Sequence, residues 1–448
     1  MSRWTSARVG EILGARPARS VMFSGIGTDT RELKPGALFV ALSGPRYDGH
    51  TFLGAALQAS AAGAVVRRGT PAVEGLVLFE VDDPLVGLGR LARARRRDIA
   101  GPVVAVTGSN GKTATRTMLV AALSTRFRTH ATRDNLNNLI GVPLTVLGAP
   151  EACEALVVEC GASVLGEVSR LREIVEPSMG VITNVAEAHL EGFGDLDSAV
   201  REKVALLEGV ASALVGLVPP GLAAAARGRA PRVITAGLAP EANVHPERWK
   251  LDATGRPELT FRGHTMRLPL LGRHQAENAM LAVAAAVELE LELRSVAQAL
   301  ADVRLPHGRG ELIEAGSLLV LHDAYNANPA SLLAALETAR AAAGARPLVI
   351  LVGSMLELGP ASRKLHEQAA DTIVAAGPAL VGAVGEFVPA FKRHAKALGA
   401  RLVTAEDADA LGRAVAPRLE GREFILLKAS RGMQLERALA HLLHGRET

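Results

Sequence analysis

Residues 103–113 read Val-Val-Ala-Val-Thr-Gly-Ser-Asn-Gly-Lys-Thr. The apolar, β-branched start predicts a buried strand, and it runs straight into a turn bracketed by Gly108 and Gly111. A strand that passes through such a turn into a helix belongs in an α/β sheet, whose strand ends line one edge. Small residues let backbone N–H groups curl around an anion, and the following helix aims its positive end at the same point. Lys112 is then placed to reach the β- and γ-phosphates of a nucleotide, and the Thr113 hydroxyl to ligate Mg²⁺. The general phosphate-loop pattern GxxxxGK[ST] wants glycine at 106, where this chain has Val106. Its first glycine comes later, at Gly108, which marks a particular subfamily. Ordinary strand–turn–helix units also carry Gly and Lys, but Lys-Thr directly after the second glycine favours the nucleotide.

A chain of 448 residues exceeds one core and predicts two to four domains. Hydrophobic residues make up 48% and charged residues 21%, the balance of a soluble globular protein. Aromatic residues are only 3%, too few for the stacking platforms of single-strand nucleic-acid binders. The 50 basic and 46 acidic residues are interspersed. The dense basic run of Arg93, Arg95, Arg96 and Arg97 reads as a solvated helix face, so no nucleic-acid partner is expected. Cys153 and Cys160 have no CxxC spacing and read as buried thiols of a reducing compartment. Met1 to Arg19 lacks the continuous apolar core of a signal peptide. The apolar run Ala211 to Ala226 is broken by Pro219-Pro220, so no membrane insertion is expected and the location reads as cytoplasmic.

The first eighty or so residues alternate apolar runs (37–42, 63–66) with a helix-like stretch at 51–62, a small α/β domain. From Gly101 the alternation becomes regular. Strands are expected at 102–107, 154–160 and 179–185, with helices near 112–125, 137–147 and 164–176, the rhythm of a parallel sheet. Residues 274–293 pattern as a helix. After the Gly/Pro/Arg-rich 305–310 come five further strands, at 318–322, 348–353, 380–385, 401–404 and 424–428. Helices at 329–343, 363–376, 388–398, 407–419 and 433–444 separate them, and the pattern predicts an open doubly wound sheet. The reading is α/β with three domains: 1–82, 83–304 and 305–448.

Polar clusters fall at the ends of the central strands. Asp134-Asn135-Leu136-Asn137-Asn138 opens a helix, and its asparagines exceed what one N-cap needs. Glu159 ends a buried strand, where a phosphate-loop domain holds Mg²⁺. His189 follows the next strand, and Lys203 lies on a helix-like segment beyond it.

These segments together resemble the Mur ligases of peptidoglycan synthesis, whose nucleotide loop reads TGxNGKT. TGSNGKT, NLNNLIGVP, VVECGAS, TNVAEAHLEGFG and REKVAL stand in that family's order. GRHQAENAMLAVAAA, GRGE, HDAYNANPAS, LVGSMLELG and LKASRGMQLE continue it to the C-terminal region. Within the family, AYNANP and the N-terminal LFVALSGPRYDGH most resemble the member that adds D-alanyl-D-alanine to UDP-N-acetylmuramoyl-tripeptide. The DNPR-type signature of the diaminopimelate-adding member is absent.

The resemblance implies a small uridine-binding domain, a central phosphate-loop ATPase domain and a C-terminal Rossmann-like domain in a monomer. It implies that Gly108, Ser109, Asn110, Gly111, Lys112 and Thr113 hold the ATP phosphates and one of two Mg²⁺ ions. Glu159 and His189 would ligate magnesium. Lys203 would carry a CO₂-derived carbamate that faces the metal as an anion. Asn278 and Arg309 would contact the adenine and phosphate ends of the nucleotide, and Asp323 its ribose side. Asn135, Asn137 and Asn138 would face the UDP-sugar, with Thr30, Arg31 and Asp48 in the uridine domain. Tyr325, Asn326 and Asn328 would lie near the dipeptide. Two positions depart from the family: Cys160 where an aliphatic residue is usual, and Ser354 where an acid is common. The tripeptide's third residue, lysine or diaminopimelate, stays open. The competing readings are another Mur-type amino-acid ligase, a kinase that stops at phosphoryl transfer, and an ATP-binding regulatory homologue that lost ligation.

Overall fold

The computed structural model describes residues 4–45 and 47–444. Arg46 of the LFVALSGPRYDGH segment, and residues 1–3 and 445–448 of the two terminal domains, lie outside the described residues. Two compact units emerge, one of residues 1–105, 127–162 and 166–179, the other of 106–126, 163–165 and 180–448.

The first unit begins with four parallel strands in the order Ile26–Gly27, Leu38–Val40, Gly63–Arg67 and Val77–Val81. Alternate residues feed opposite faces: Leu38, Val40 and Val65 pack with Phe23 and Phe79, while Phe39, Ala64 and Val66 pack with Leu53 and Ala56. Helix Pro84–Arg97 follows, with Asp83 capping its N-terminus and Pro84 in the first turn, where its missing N–H costs nothing. Arg93 and Arg97 form the exposed face that charge alone predicts, whereas Arg95 and Arg96 do not. Arg95 is buried and donates to the carbonyls of Ala149 and Pro150 at 3.0 and 2.8 Å. Arg96 donates to the carbonyls of Val175 and Glu176 at the end of helix Glu167–Val175. Arg93 and Arg97 pair with the Glu176 carboxylate. Arg96 clamps carbonyls that a helix end leaves unsatisfied.

A six-stranded sheet follows in the order Thr129–Ala131, Ala155–Glu159, Val103–Thr107, Met179–Ile182, Ser212–Val215 and Val233–Thr235. The strands at 103–107, 155–159 and 179–182 match the sequence expectation. The strand 212–215 starts within the proline-broken apolar run, whose later part forms helix Leu222–Arg227. A separate three-stranded antiparallel sheet, Arg248–Leu251, Pro257–Phe261 and His264–Arg267, was not anticipated. Its strands are charged, and Glu258 pairs across them with Lys250 and Arg267. The expected helix at 274–293 ends earlier, as Arg273–Glu288, and a second helix, Leu293–Ala301, begins where it was expected to stop.

The C-terminal sheet has six strands, not five: Glu311–Ala315, Leu318–Asp323, Phe424–Lys428, Leu348–Val352, Leu380–Ala383 and Leu402–Thr404. The extra strand, Glu311–Ala315, is an antiparallel edge, and the others run parallel. Ile350 and Leu426 face one core, Val349, Leu351, Ile425 and Leu427 the other, so helices cover both faces. Helix Pro329–Ala343 matches its expected bounds, whereas the expected 388–398 helix is broken into short turns. No helix among the described residues is long and apolar enough to cross a membrane.

Candidate active site

Strand Val103–Thr107 is buried throughout, and helix Lys112–Leu123 begins at the lysine. Between them Gly108 and Gly111 take φ values of 152° and 78°. A Cβ on Gly108 would meet Thr183 Oγ1 at 1.9 Å, and one on Gly111 would meet Asn278 Oδ1 at 2.4 Å. Any side chain at either position would push the loop out of its cradle. The loop is held by the end of the next strand. Ser109 N–H donates to the Asn184 carbonyl at 2.9 Å and Asn110 N–H to Asn184 Oδ1 at 3.1 Å. Thr183 Oγ1 donates to the Asn110 carbonyl. Lys112 Nζ bends back to the carbonyls of Gly108 and Ser109, at 2.6 and 3.2 Å, which keeps its charge over the loop. Thr113 is buried in the first helical turn.

Lys203 is almost wholly buried, at 1% exposure, with Nζ 5.0 Å from the Phe193 ring centroid. Burial, reinforced by the charge of Lys112, pulls its amine down to about 7. The His189 ring packs edge-on against the same Phe193, 6.1 Å between centroids. Its Nδ1 is bonded to the Glu357 carboxylate, and that bond holds Glu357 below its usual range.

The C-terminal strands contribute a second group. Their register sets Asp323 beside Lys428, and Lys428 Nζ donates to Asp323 Oδ2 at 2.6 Å and to the Asn326 carbonyl at 2.7 Å. Arg309 lies over the Tyr325 ring at 3.7 Å, and Arg431 approaches the same ring at 5.4 Å. Asn328 caps helix Pro329–Ala343 through Ser331. Its Nδ2 also donates to Asn110 Oδ1 at 2.7 Å, and Asn110 Nδ2 to Asn328 Oδ1 at 3.3 Å. The phosphate loop and the AYNANP segment are thus joined by a reciprocal amide pair. Asn278 bonds Gln275 on helix Arg273–Glu288. Ser354, in place of the acid, accepts from Glu386 N–H at 2.9 Å, so the position still caps a backbone donor.

In the first unit, Glu159 is buried at its strand end, and Asn137 Nδ2 donates to its Oε1 at 3.0 Å. Asn138 accepts from the Ile140 and Gly141 N–H groups ahead of the next helix, which starts at 141 rather than 137. Asn135 is exposed beside them. Near the N-terminus, Arg31 forks onto Asp29, whose carboxyl it holds at about 2. Asp48 Oδ1 accepts from Ser43 Oγ at 2.7 Å and from His50. Thr30 stands between the Asp29–Arg31 pair. Cys160 is buried and its thiol is pushed up, whereas Cys153 is only half-buried.

Sequence reasoning assigned no role to Thr183, Asn184, Glu357, Lys428 or Arg431. All five lie inside quoted motifs, TNVAEAH, LVGSMLELG and LKASRGMQLE, and that membership was the available signal. Among the described residues no three His, Cys, Asp or Glu side chains are gathered as a ready metal cluster. The loop itself fits a nucleotide: a cradle that a Cβ would fill, a lysine over it and a buried hydroxyl at the helix start. Taken singly, Thr113 and Glu159 each present an oxygen of the kind Mg²⁺ takes, and His189 presents a ring nitrogen.

Three family models match in chain order: Mur ligase family, catalytic domain, over 22–93; Mur ligase middle domain over 106–286; and Mur ligase, glutamate ligase domain, over 308–431. A UDP-N-acetylmuramoyl-tripeptide–D-alanyl-D-alanine ligase of Bacillus subtilis (strain 168) is 33% identical over 433 residues, covering 94% of this chain and 93% of its own. The chain belongs to the Mur ligase family. The Mur ligase of that same designation from Escherichia coli (strain K12) is 33% identical and covers 86% of each chain. Among solved Mur ligases, MurF from Acinetobacter baumannii superposes with a TM-score of 0.88 at 28% identity, over 98% of each chain. Folylpolyglutamate synthase of Mycobacterium tuberculosis shares the fold more distantly, with a TM-score of 0.63 at 20% identity, over 81% of this chain and 95% of its own.

Proposed function

We propose that the chain is an ATP-dependent amide-bond ligase that adds D-alanyl-D-alanine to UDP-N-acetylmuramoyl-tripeptide for peptidoglycan. The observation that carries the reading is the amide pair Asn110–Asn328. It sets the phosphate loop against the AYNANP segment, whose sequence resembles the dipeptide-adding members. Residues 1–82 would grip the uridine end, 83–304 the ATP, and 305–448 the dipeptide.

A carboxylate and an amine do not join spontaneously in water, so the carboxylate must be activated. Its oxygen attacks the γ-phosphorus, the bond to the β-phosphate oxygen breaks, and ADP leaves an acyl phosphate behind. The dipeptide amine then attacks the acyl carbon, phosphate departs with the bonding pair, and the amine loses a proton. Lys112 offsets the charge that gathers on the transferring group, and the backbone donors of residues 108–113 hold it in line. Thr113, Glu159 and His189 would hold Mg²⁺, which would supply further neutralisation of the phosphate charge. Asn278 and Arg309 would contact the adenine and phosphate ends of the nucleotide and Asp323 its ribose side, with Lys428 steadying Asp323. Tyr325, Asn326 and Asn328 would border the dipeptide. Asn135, Asn137, Asn138, Thr30, Arg31 and Asp48 would line the path of the UDP-sugar. No residue need be a covalent nucleophile, because positioning supplies much of the rate.

Lys203 has a separate part. An ammonium beside Mg²⁺ would repel it, but an amine near 7 is substantially neutral at neutral pH. A neutral amine adds to CO₂, releases a proton and becomes an anionic carbamate that can face the cation. The reading is tested by ADP release with UDP-muramoyl peptides of different lengths, with and without D-alanyl-D-alanine. ADP release that requires both the tripeptide and the dipeptide, with pentapeptide product, supports ligation. ADP release indifferent to the dipeptide identifies a kinase.

A further inference from the structure

His189 and Glu357 are 168 residues apart in sequence, yet their side chains are bonded. Both are non-glycine residues in the left-handed region, with φ values of 54° and 63°. Such conformations persist only where the surroundings enforce them, and they gather at working sites. The backbones touch as well: Glu191 N–H donates to the Glu357 carbonyl at 3.3 Å. A Cβ on Gly359 would stand 3.4 Å from Glu191 Cα. The LVGSMLELG turn is therefore laid along the His189 loop by several contacts, not by one mobile side chain.

The direction of the bond matters chemically. An ionised carboxylate can only accept, so Nδ1 of His189 must carry the hydrogen. That leaves the lone pair on Nε2 as the atom free to bind a cation. An imidazole fixed by a carboxylate on its far nitrogen is the usual support for a metal-bound histidine, because it sets both tautomer and ring angle. The Phe193 edge contact restrains the same ring from the side.

We propose that Glu357 is a positioning residue that orients His189 Nε2 toward a divalent cation, so that the C-terminal motif completes the metal site. The inference rests on His189 being a Mg²⁺ ligand, as the functional reading holds. Its consequence is that cation affinity depends on a residue that never touches the cation.

Mn²⁺ is a suitable probe, added to the full-length protein with ADP. Its affinity is read from the free-ion electron paramagnetic resonance signal, and imidazole ligation from ¹⁴N spin-echo modulation. Wild type, His189→Ala, Glu357→Ala and Glu357→Gln are compared, with thermal midpoints as a check on folding. Glu357→Ala should weaken Mn²⁺ binding about 10–100-fold and diminish the ¹⁴N modulation. Glu357→Gln, which can still accept from Nδ1–H, should lose less. Neither change should add a further loss on the His189→Ala background. If His189→Ala weakens Mn²⁺ binding and both Glu357 variants leave it unchanged, the positioning role is wrong and the ligand assignment stands. Additive losses in His189→Ala/Glu357→Gln overturn it too, and this arm serves even if Glu357→Ala does not fold. If His189→Ala itself changes neither affinity nor modulation, the ligand assignment falls, and the positioning role with it.

Discussion

Gly108–Thr113 and the Asp29–Asp48 region are both polar stretches that the sequence marks for ligand binding, and the chain holds them in opposite ways. The phosphate loop is wedged. Its glycines sit where a Cβ would collide with Thr183 or Asn278, and its backbone is tied to Asn184. The N-terminal cluster lies open, with the Arg31 side chain 85% exposed and paired with its near neighbour Asp29. An exposed pair of this kind adds little to stability and is free to exchange its partner for a ligand. The difference teaches that one site is preformed by packing, whereas the other is a set of side chains displayed on a scaffold. Substitutions in the loop should therefore act on chemistry, and substitutions in the cluster on binding alone.

The largest effect should come from Lys112→Ala. Its ammonium stands over the loop, so ligation should fall by at least about 10²–10³-fold while UDP-muramoyl-tripeptide binding holds. Steady-state turnover and a binding titration on the same preparation check this. Loss of sugar-nucleotide binding as well would break the contrast between the two regions.

Next is Lys203→Ala, expected to lose about 10²-fold or more, with partial rescue by formate or acetate. Lys203→Arg should not restore turnover, because a retained cation is the wrong charge. The pH sign follows from an amine lowered to about 7. As pH falls through 7 the amine protonates and can no longer take up CO₂, so turnover at limiting CO₂ should fall on the acid side. Full activity of Lys203→Arg would make Lys203 an ordinary cation.

A smaller effect is expected from Arg31→Ala. UDP-muramoyl-tripeptide should bind about tenfold more weakly, the scale of one lost charge-assisted hydrogen bond, with ATP binding unchanged. Equal losses of both ligands in calorimetric titrations would remove the division of labour.

Asn328→Ser should have the smallest effect. Serine still caps helix Pro329–Ala343 but is too short to reach Asn110, so the thermal midpoint should barely move. Turnover should fall about 2–10-fold, the net worth of the shorter hydrogen bond of the pair, the longer one adding little. A matching loss in Asn110→Ala, with no further loss in the double variant, would sharpen the link between loop and C-terminal segment.

What the sequence reveals and what it hides follow the same contrast. Gly108, Gly111, Lys112 and Thr113 are legible because local backbone geometry demands those residues in that order. Helix 329–343 is legible because Asn328-Pro329 announces its start. Lys428 beside Asp323 is not, since a strand register joins residues 105 apart. The Glu357–His189 bond is hidden for the same reason. Arg95 and Arg96 mislead because a run of charges looks solvated until the carbonyls it satisfies are in place. The strand Glu311–Ala315 and the sheet of 248–267 escape because charged, half-exposed strands lack a clear alternation. Long-range pairing, not local propensity, decides each of these.

The most direct test of the ligation chemistry follows the carboxylate oxygen. UDP-muramoyl-tripeptide labelled with ¹⁸O in the terminal carboxylate is turned over with ATP and D-alanyl-D-alanine, and the phosphate released is weighed by mass spectrometry. An acyl phosphate requires that each amide formed deliver one labelled oxygen to inorganic phosphate. Phosphate free of the label, alongside consumed ATP, would contradict activation of the carboxylate and with it the proposed ligation.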